Sequence, residues 1–175
     1  MKLMFFVWMA VGLCLCPPPS AAVSVEVAAK GVKSLQTKQI PDWDYSKEVF
    51  RSLKYFRCEE FNSPDVGRGC ERMDWEFLYL LEQARERAQI PFVVSGGFRT
   101  KAHNAAVGGV TNSCHLYGYC ADIRVSNASE RYKIVEAAIY VGIPRIGVYS
   151  QHIHLCADPA KAQHILWMGE YKQKS

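Results

Sequence analysis

Tyr117-Gly118-Tyr119-Cys120-Ala121-Asp122-Ile123-Arg124-Val125 is the stretch on which the fold turns. Tyr117-Gly118 reads as a tight turn, and Cys120–Val125 as the strand it feeds. Side chains at i and i+2 share one face of a strand. Asp122 therefore lies with Cys120 and Arg124, while Ala121, Ile123 and Val125 take the other face. Two more short strands are expected downstream, at Arg145–Tyr149 and His152–Cys156. Upstream, Phe92–Ser95 reads as a buried strand that Gly96-Gly97 breaks.

Helices interleave with these strands. Val49, Phe50, Leu53 and Phe56 recur at helical spacing and predict a helix over Tyr45–Phe56. Asp74 caps a helix running to about Ala88, with Phe77, Leu78, Leu81, Ala84 and Ala88 as its apolar stripe. A short helix is expected at Thr100–Ala106. Asn127 with Glu130 forms a capping box for a helix from about Ala128 to Val141, closed by Gly142 and Pro144. The segments 62–69 and 107–113 read as loops. Asp158–Ser175 is expected to hold one helical turn and then fray. No internal repeat is visible. The pattern predicts an α+β fold, a small and mainly antiparallel sheet flanked by helices.

The chain has 175 residues, 49% of them apolar, enough to bury one compact core. A charged fraction of 22% and an aromatic fraction of 12% exclude wholesale disorder. Lys plus Arg number 21 against 17 Asp plus Glu, a net charge of +4. This mild excess suits polyanionic surroundings such as a bacterial envelope. It falls far short of the basic stripe that nucleic-acid binding demands, and no nucleic-acid partner is expected.

Lys2 precedes an uncharged apolar run, Leu3–Cys16, followed by three prolines and Ser20-Ala21-Ala22. A positive start, a short apolar core and small residues at a cut site describe a secretory signal peptide. The run is shorter than the roughly 20 residues that span a bilayer. An uncleaved anchor is the rival reading, as is lipidation at Cys14 or Cys16, although Leu13 and Leu15 stand where that needs small residues. The mature chain is expected to start near Val23, in a secreted, periplasmic or envelope location, with no stable membrane span after processing. Five of the seven cysteines follow: Cys58, Cys70, Cys114, Cys120 and Cys156. In an oxidising compartment they are free to pair. Cys58 and Cys70 flank a turn-rich loop and are the first expected bridge; pairing among the other three is also expected. Asn127-Ala128-Ser129 fits an N-glycosylation acceptor, relevant only in a eukaryotic secretory route.

The same periodicity points to a metal. His152 and His154 project together from one strand face. If their strand lies beside Cys120–Val125, Asp122 and His154 face one point, and His115 reaches it across the Tyr117-Gly118 turn. Two imidazoles and a carboxylate with an open fourth position make a catalytic zinc site. A closed structural site built from Cys114, Cys120 and Cys156 with histidine is the competing arrangement. His103 and His164 read as ordinary core or surface histidines.

Several segments together resemble the zinc D-alanyl-D-alanine carboxypeptidases and their relatives, which share the hedgehog-type zinc-peptidase fold. They are Ser95-Gly96-Gly97-Phe98-Arg99-Thr100, His103-Asn104-Ala105-Ala106-Val107-Gly108-Gly109, Ser113 through Ile123, Ile146-Gly147-Val148-Tyr149, and Ile153-His154-Leu155. The likeness covers roughly Leu53 to Pro159. It implies that His115, Asp122 and His154 ligate zinc, and that Arg99 holds substrate and stabilises the developing oxyanion. Ser113 matches a serine two residues before the first ligand, with a role in orienting ligand or substrate. Relatives carry either an acidic residue three positions before the last ligand, here Gln151, or a histidine two positions before it, here His152. His152 is thus the expected general base or hydrogen-bond donor. Cys156 stands where many relatives have aspartate.

The resemblance implies an exported zinc peptidase that acts on peptidoglycan stem peptides, foremost a D-Ala-D-Ala carboxypeptidase. An endopeptidase and a non-catalytic zinc-binding cell-wall module are the alternatives, the latter favoured by Gln151. The expected layout is a signal peptide over 1–22, a linker over 23–44 with a short strand at Val23–Val27, a zinc peptidase domain over 45–165, and a tail over 166–175.

Overall fold

The computed structural model describes residues 48–169. The expected signal peptide, the linker and its Val23–Val27 strand lie outside them.

Residues 48–52 close a first helix, α1, four residues short of the expected end at Phe56. The apolar spacing continues past this point, but the backbone does not. The amides of Lys54 and Tyr55 donate to the Glu82 carboxylate at 2.7 and 3.2 Å, which takes them out of any helical ladder. Phe56 still reaches the core, from outside the helix.

The next helix, α2 (Trp75–Ala88), starts where Asp74 accepts the Phe77 amide at 2.9 Å. Its buried residues are the five of the predicted stripe, each worth about 1.5–3 kcal/mol for the larger side chains. Thr100 caps α3 (Lys101–Ala106). Asn127 caps α4 (Ala128–Tyr140) by accepting the Glu130 amide at 2.9 Å. The reciprocal bond of the expected box is displaced by one residue, because Glu130 accepts from Ser126 rather than Asn127.

Five strands form one sheet in the order β1-β2-β4-β3-β5. They are β1 (Val93–Gly96), β2 (Cys120–Arg124), β3 (Arg145–Val148), β4 (His152–Cys156) and β5 (Ile165–Met168). Three pairings are antiparallel, and β3–β5 is parallel. Ala121 and Ile123 of β2, with Ile153 and Leu155 of β4, face the core shared with α2 and α4. The opposite face of the same two strands carries Asp122, His152 and His154. The fold is α+β, as the alternation of elements predicts.

Two expectations about the sheet need correction. β1 is an edge strand with Val93 41% exposed, not a buried one, because among the described residues it pairs with β2 alone. The tail forms β5 instead of a helical turn. Ile165-Leu166-Trp167-Met168 is a short apolar run without alternation, which periodicity by itself does not assign; pairing with β3 decides it.

Cys58 and Cys70 form the expected disulfide. Cys114, Cys120 and Cys156 are free and buried, contrary to the expectation that some of them pair. Among the described residues no helix is long and apolar enough to cross a membrane.

Candidate metal centre

The register of β2 on β4 builds the floor of the site. Asp122 is directly opposite His154, between the pairs Cys120–Cys156 and Arg124–His152. Val125 donates to the Gln151 carbonyl and Ala157 to the Tyr119 carbonyl. These bonds place Asp122, Cys120 and Arg124 at non-hydrogen-bonded positions, where opposed Cα atoms approach to about 4.5 Å and side chains meet most closely. Asp122 Oδ1 lies 2.8 Å from His154 Nδ1 and 3.8 Å from His152 Nε2.

His115 arrives from a 3-10 turn, Cys114–Tyr117. Gly118 ends that turn at φ +78°, and a Cβ there would stand 1.9 Å from the Arg72 carbonyl, so only glycine fits. His115 Nδ1 is 2.7 Å from the Gly97 carbonyl oxygen. A carbonyl only accepts, so Nδ1 carries the proton and Nε2 presents a lone pair. That lone pair faces Asp122 Oδ2 at 3.4 Å. A lone pair and a carboxylate oxygen at this separation need a cation or a second ring proton between them.

Arg99 enters from beyond β1. The β1–β2 register shifts between Val94 and Gly96, which sets Gly96 beside Asp122. The Arg99 amide donates to the His115 carbonyl at 3.0 Å, and its guanidinium reaches Asp122 Oδ2 at 2.5 Å. A side chain on Gly96 would meet Asp122 Oδ2 at 2.9 Å and the Arg99 guanidinium at 3.2 Å. The absent side chain makes the room in which that pair sits.

Burial pushes the Asp122 carboxyl up, but the charges and hydrogen bonds of His115 and His154 outweigh it and hold the group well below the usual carboxylate range. Burial pulls His154 down, yet bonding to Asp122 and Cys114 prevails and raises it well above an ordinary histidine. His152 is lowered, chiefly by burial, against the opposing charge of Asp122. A divalent cation bound among these groups competes with protons.

Two imidazoles turned by their second nitrogens and a buried carboxylate form a donor set that fits zinc. The group opens on a cleft of about 860 Å³ lined by Arg99, Ser113, His115, Asp122, His152 and His154 among others. The fold therefore gathers all six predicted site residues. Ser113 is buried in the cleft wall and makes no capping bond to the turn that follows it. Gln151 lies on the same cleft; His103 and His164 do not. Two residues were not anticipated. Tyr149 stacks on His152 with ring centroids 4.5 Å apart and planes 12° apart. Trp167 of β5 stands 5.8 Å from His154 and bonds the Tyr149 hydroxyl at 3.3 Å. Tyr149 ends the segment Ile146–Tyr149 that carries part of the family resemblance, which assigned it no role; Trp167 had no signal, because the apolar run that holds it does not alternate.

No curated protein matches this chain. The family model for Peptidase M15 matches residues 54–156, more than half of the sequence, and this span holds every member of the site from Arg99 to His154. With that match and the geometry of the cleft, the chain belongs to the Peptidase M15 family.

Proposed function

We propose that the chain is an exported zinc metallopeptidase that trims peptidoglycan stem peptides, acting as a D-Ala-D-Ala carboxypeptidase. One observation supports this reading: His115 Nε2 and His154 Nδ1 each lie against the Asp122 carboxylate, at 3.4 and 2.8 Å, with Arg99 beside them. His115, Asp122 and His154 would hold the ion and leave its fourth position to the cleft. Zinc, when bound, supplies Lewis acidity and lowers the pKa of water towards about 7.

The chain's own residues do the rest. Arg99 spends one nitrogen on Asp122, and its remaining N–H groups bind the peptide carbonyl oxygen or the terminal carboxylate. Charge develops on that oxygen during attack, and one such donor is commonly worth about 3 kcal/mol. The planar fork of arginine suits either oxygen group, as lysine does not. His152 takes the proton of the attacking water at Nε2 and returns it to the departing amine. Its stack on Tyr149 fixes the ring plane. Gln151 holds no titratable group and leaves that role to His152. Ser113 contributes a hydroxyl on the cleft wall to orient the substrate.

The test is incubation of the zinc-loaded protein with a stem pentapeptide and identification of the products. Free D-alanine is expected. Cleavage at an internal bond instead would make the protein an endopeptidase. Zinc-dependent binding to sacculi with no hydrolysis of either kind would make it a non-catalytic cell-wall module and overturn the proposal.

A further inference from the structure

Three thiols stand next to the cleft without a part in the proposed chemistry. Cys114, Cys120 and Cys156 form a small buried cluster of their own, apart from the main core. Two parts of the fold bring them together. Cys120 and Cys156 are directly opposed on β2 and β4, and Cys114 opens the turn that carries His115.

A fourth donor points at the same cluster. His154 turns Nδ1 towards Asp122 and leaves Nε2 3.4 Å from Cys114 Sγ. Donor atoms of Cys114, His154 and Cys156 all lie within 4.8 Å of one another, whereas Cys120 meets that limit with His115 and His154 instead. Zinc bonds of about 2.3 Å to sulfur and about 2.0 Å to nitrogen, at a tetrahedral angle, separate two such donors by roughly 3.5 Å. The sulfur–nitrogen spacing found here matches that requirement. The Asp158 amide also donates to Cys156 Sγ at 3.5 Å, a bond that steadies a sulfur ligand from behind.

Parity favours a metal over a disulfide. Three thiols cannot all pair with one another, whereas two sulfurs and one imidazole nitrogen already give one ion three protein ligands. Soft sulfur donors select Zn2+ or Cu+ over Mg2+ or Ca2+.

We propose that Cys114, Cys156 and Nε2 of His154 form a second site for a thiophilic d10 ion, Zn2+ or Cu+. It sits behind the cleft-facing group and shares His154 with it. Each thiol releases its proton on binding. When both ions are present, the His154 ring has given up both N–H protons and joins them. Cys114 and His154 line the cleft and provide the access route. The ion ties β4 to the Cys114–Tyr117 turn behind His154. The claim does not depend on the peptidase reading, with which it has one residue in common.

Cobalt titration of the reduced, metal-free full chain tests this. Two equivalents are expected to bind, one of them producing a sulfur-to-cobalt charge-transfer band. His115→Ala should lose one equivalent and keep the band. Cys114→Ser and Cys156→Ser should each weaken or abolish the band. Absence of the band in reduced wild type at saturating Co2+ overturns the proposal, and so does its loss in His115→Ala, which would assign the sulfur to the cleft ion. A Cys120–Cys156 disulfide in the untreated protein, read by mass, also overturns it. The wild-type measurements need no variant to fold. A retained band in a protein with no peptidase activity sinks the proposed function and leaves this site standing.

Discussion

Asp122 and His154 face each other across the β2–β4 ladder with Oδ1 and Nδ1 2.8 Å apart, while Oδ2 of the same carboxylate meets Arg99 at 2.5 Å and His115 at 3.4 Å. One buried carboxylate is thus the hub of the cleft. Each of its oxygens has a nitrogen partner supplied by a different part of the chain.

That arrangement makes the metal the first target. His115→Ala, Asp122→Asn and His154→Ala should each lose the cleft ion and activity together. The loss of affinity should exceed the roughly 10–100-fold that removal of a supporting hydrogen bond costs. Metal analysis after dialysis against a weak chelator measures it. Unchanged stoichiometry in all three variants would mean that the ion binds elsewhere.

Arg99 should separate binding of the ion from turnover. Arg99→Lys keeps a positive charge near Asp122 but removes the fork. The ion should stay, and kcat should fall by about 10²–10³. A variant with kcat close to wild type would remove Arg99 from oxyanion stabilisation.

His152 is held below the ordinary histidine pKa of 6.5, chiefly by burial. A lowered pKa keeps the ring neutral, and able to accept a proton, to more acid pH than usual. The acid limb of kcat/KM should therefore lie below pH 6.5, and a bound cation 's charge moves it the same way. His152→Gln should lower kcat by about 10²–10⁴ with the metal retained. An acid limb above 6.5, or full activity in the variant, contradicts a base at this position.

Gly96 offers a test of space. Adding the methyl group in Gly96→Ala puts carbon 2.9 Å from Asp122 Oδ2 and 3.2 Å from the Arg99 guanidinium. One of the two must shift, so activity should drop at least tenfold while the fold persists, since β1 is an edge strand. Kinetics beside far-ultraviolet circular dichroism would show it. Unaltered kinetics would mean the pair relaxes without consequence.

The Cys58–Cys70 bridge spans a sequence separation of 12. Chain-entropy arguments put closing a loop of that size at about 3 kcal/mol. The double variant Cys58→Ser, Cys70→Ser should lose about that much in urea unfolding, with little change in metal content, because the bridge lies outside the cleft.

Strand periodicity, read locally, already placed Asp122 on the face it shares with Cys120 and Arg124, and His152 with His154. Capping by Asp74 and the stripe from Phe77 to Ala88 were equally visible, because i+3 and i+4 neighbours meet whatever the rest of the chain does. Where α1 ends was not, since Glu82, far along the sequence, captures the amides of Lys54 and Tyr55.

The sequence by itself thus determined which side chains travel together on each element, a matter of backbone repeat alone. Which elements lie side by side came from tertiary structure. Direct opposition of Asp122 and His154, the edge position of β1, the parallel pairing of β5 and the meeting of Cys114 with His154 Nε2 all depend on contacts between residues distant in sequence. No local repeat encodes such contacts, because register is settled only when the faces of separate strands are buried together.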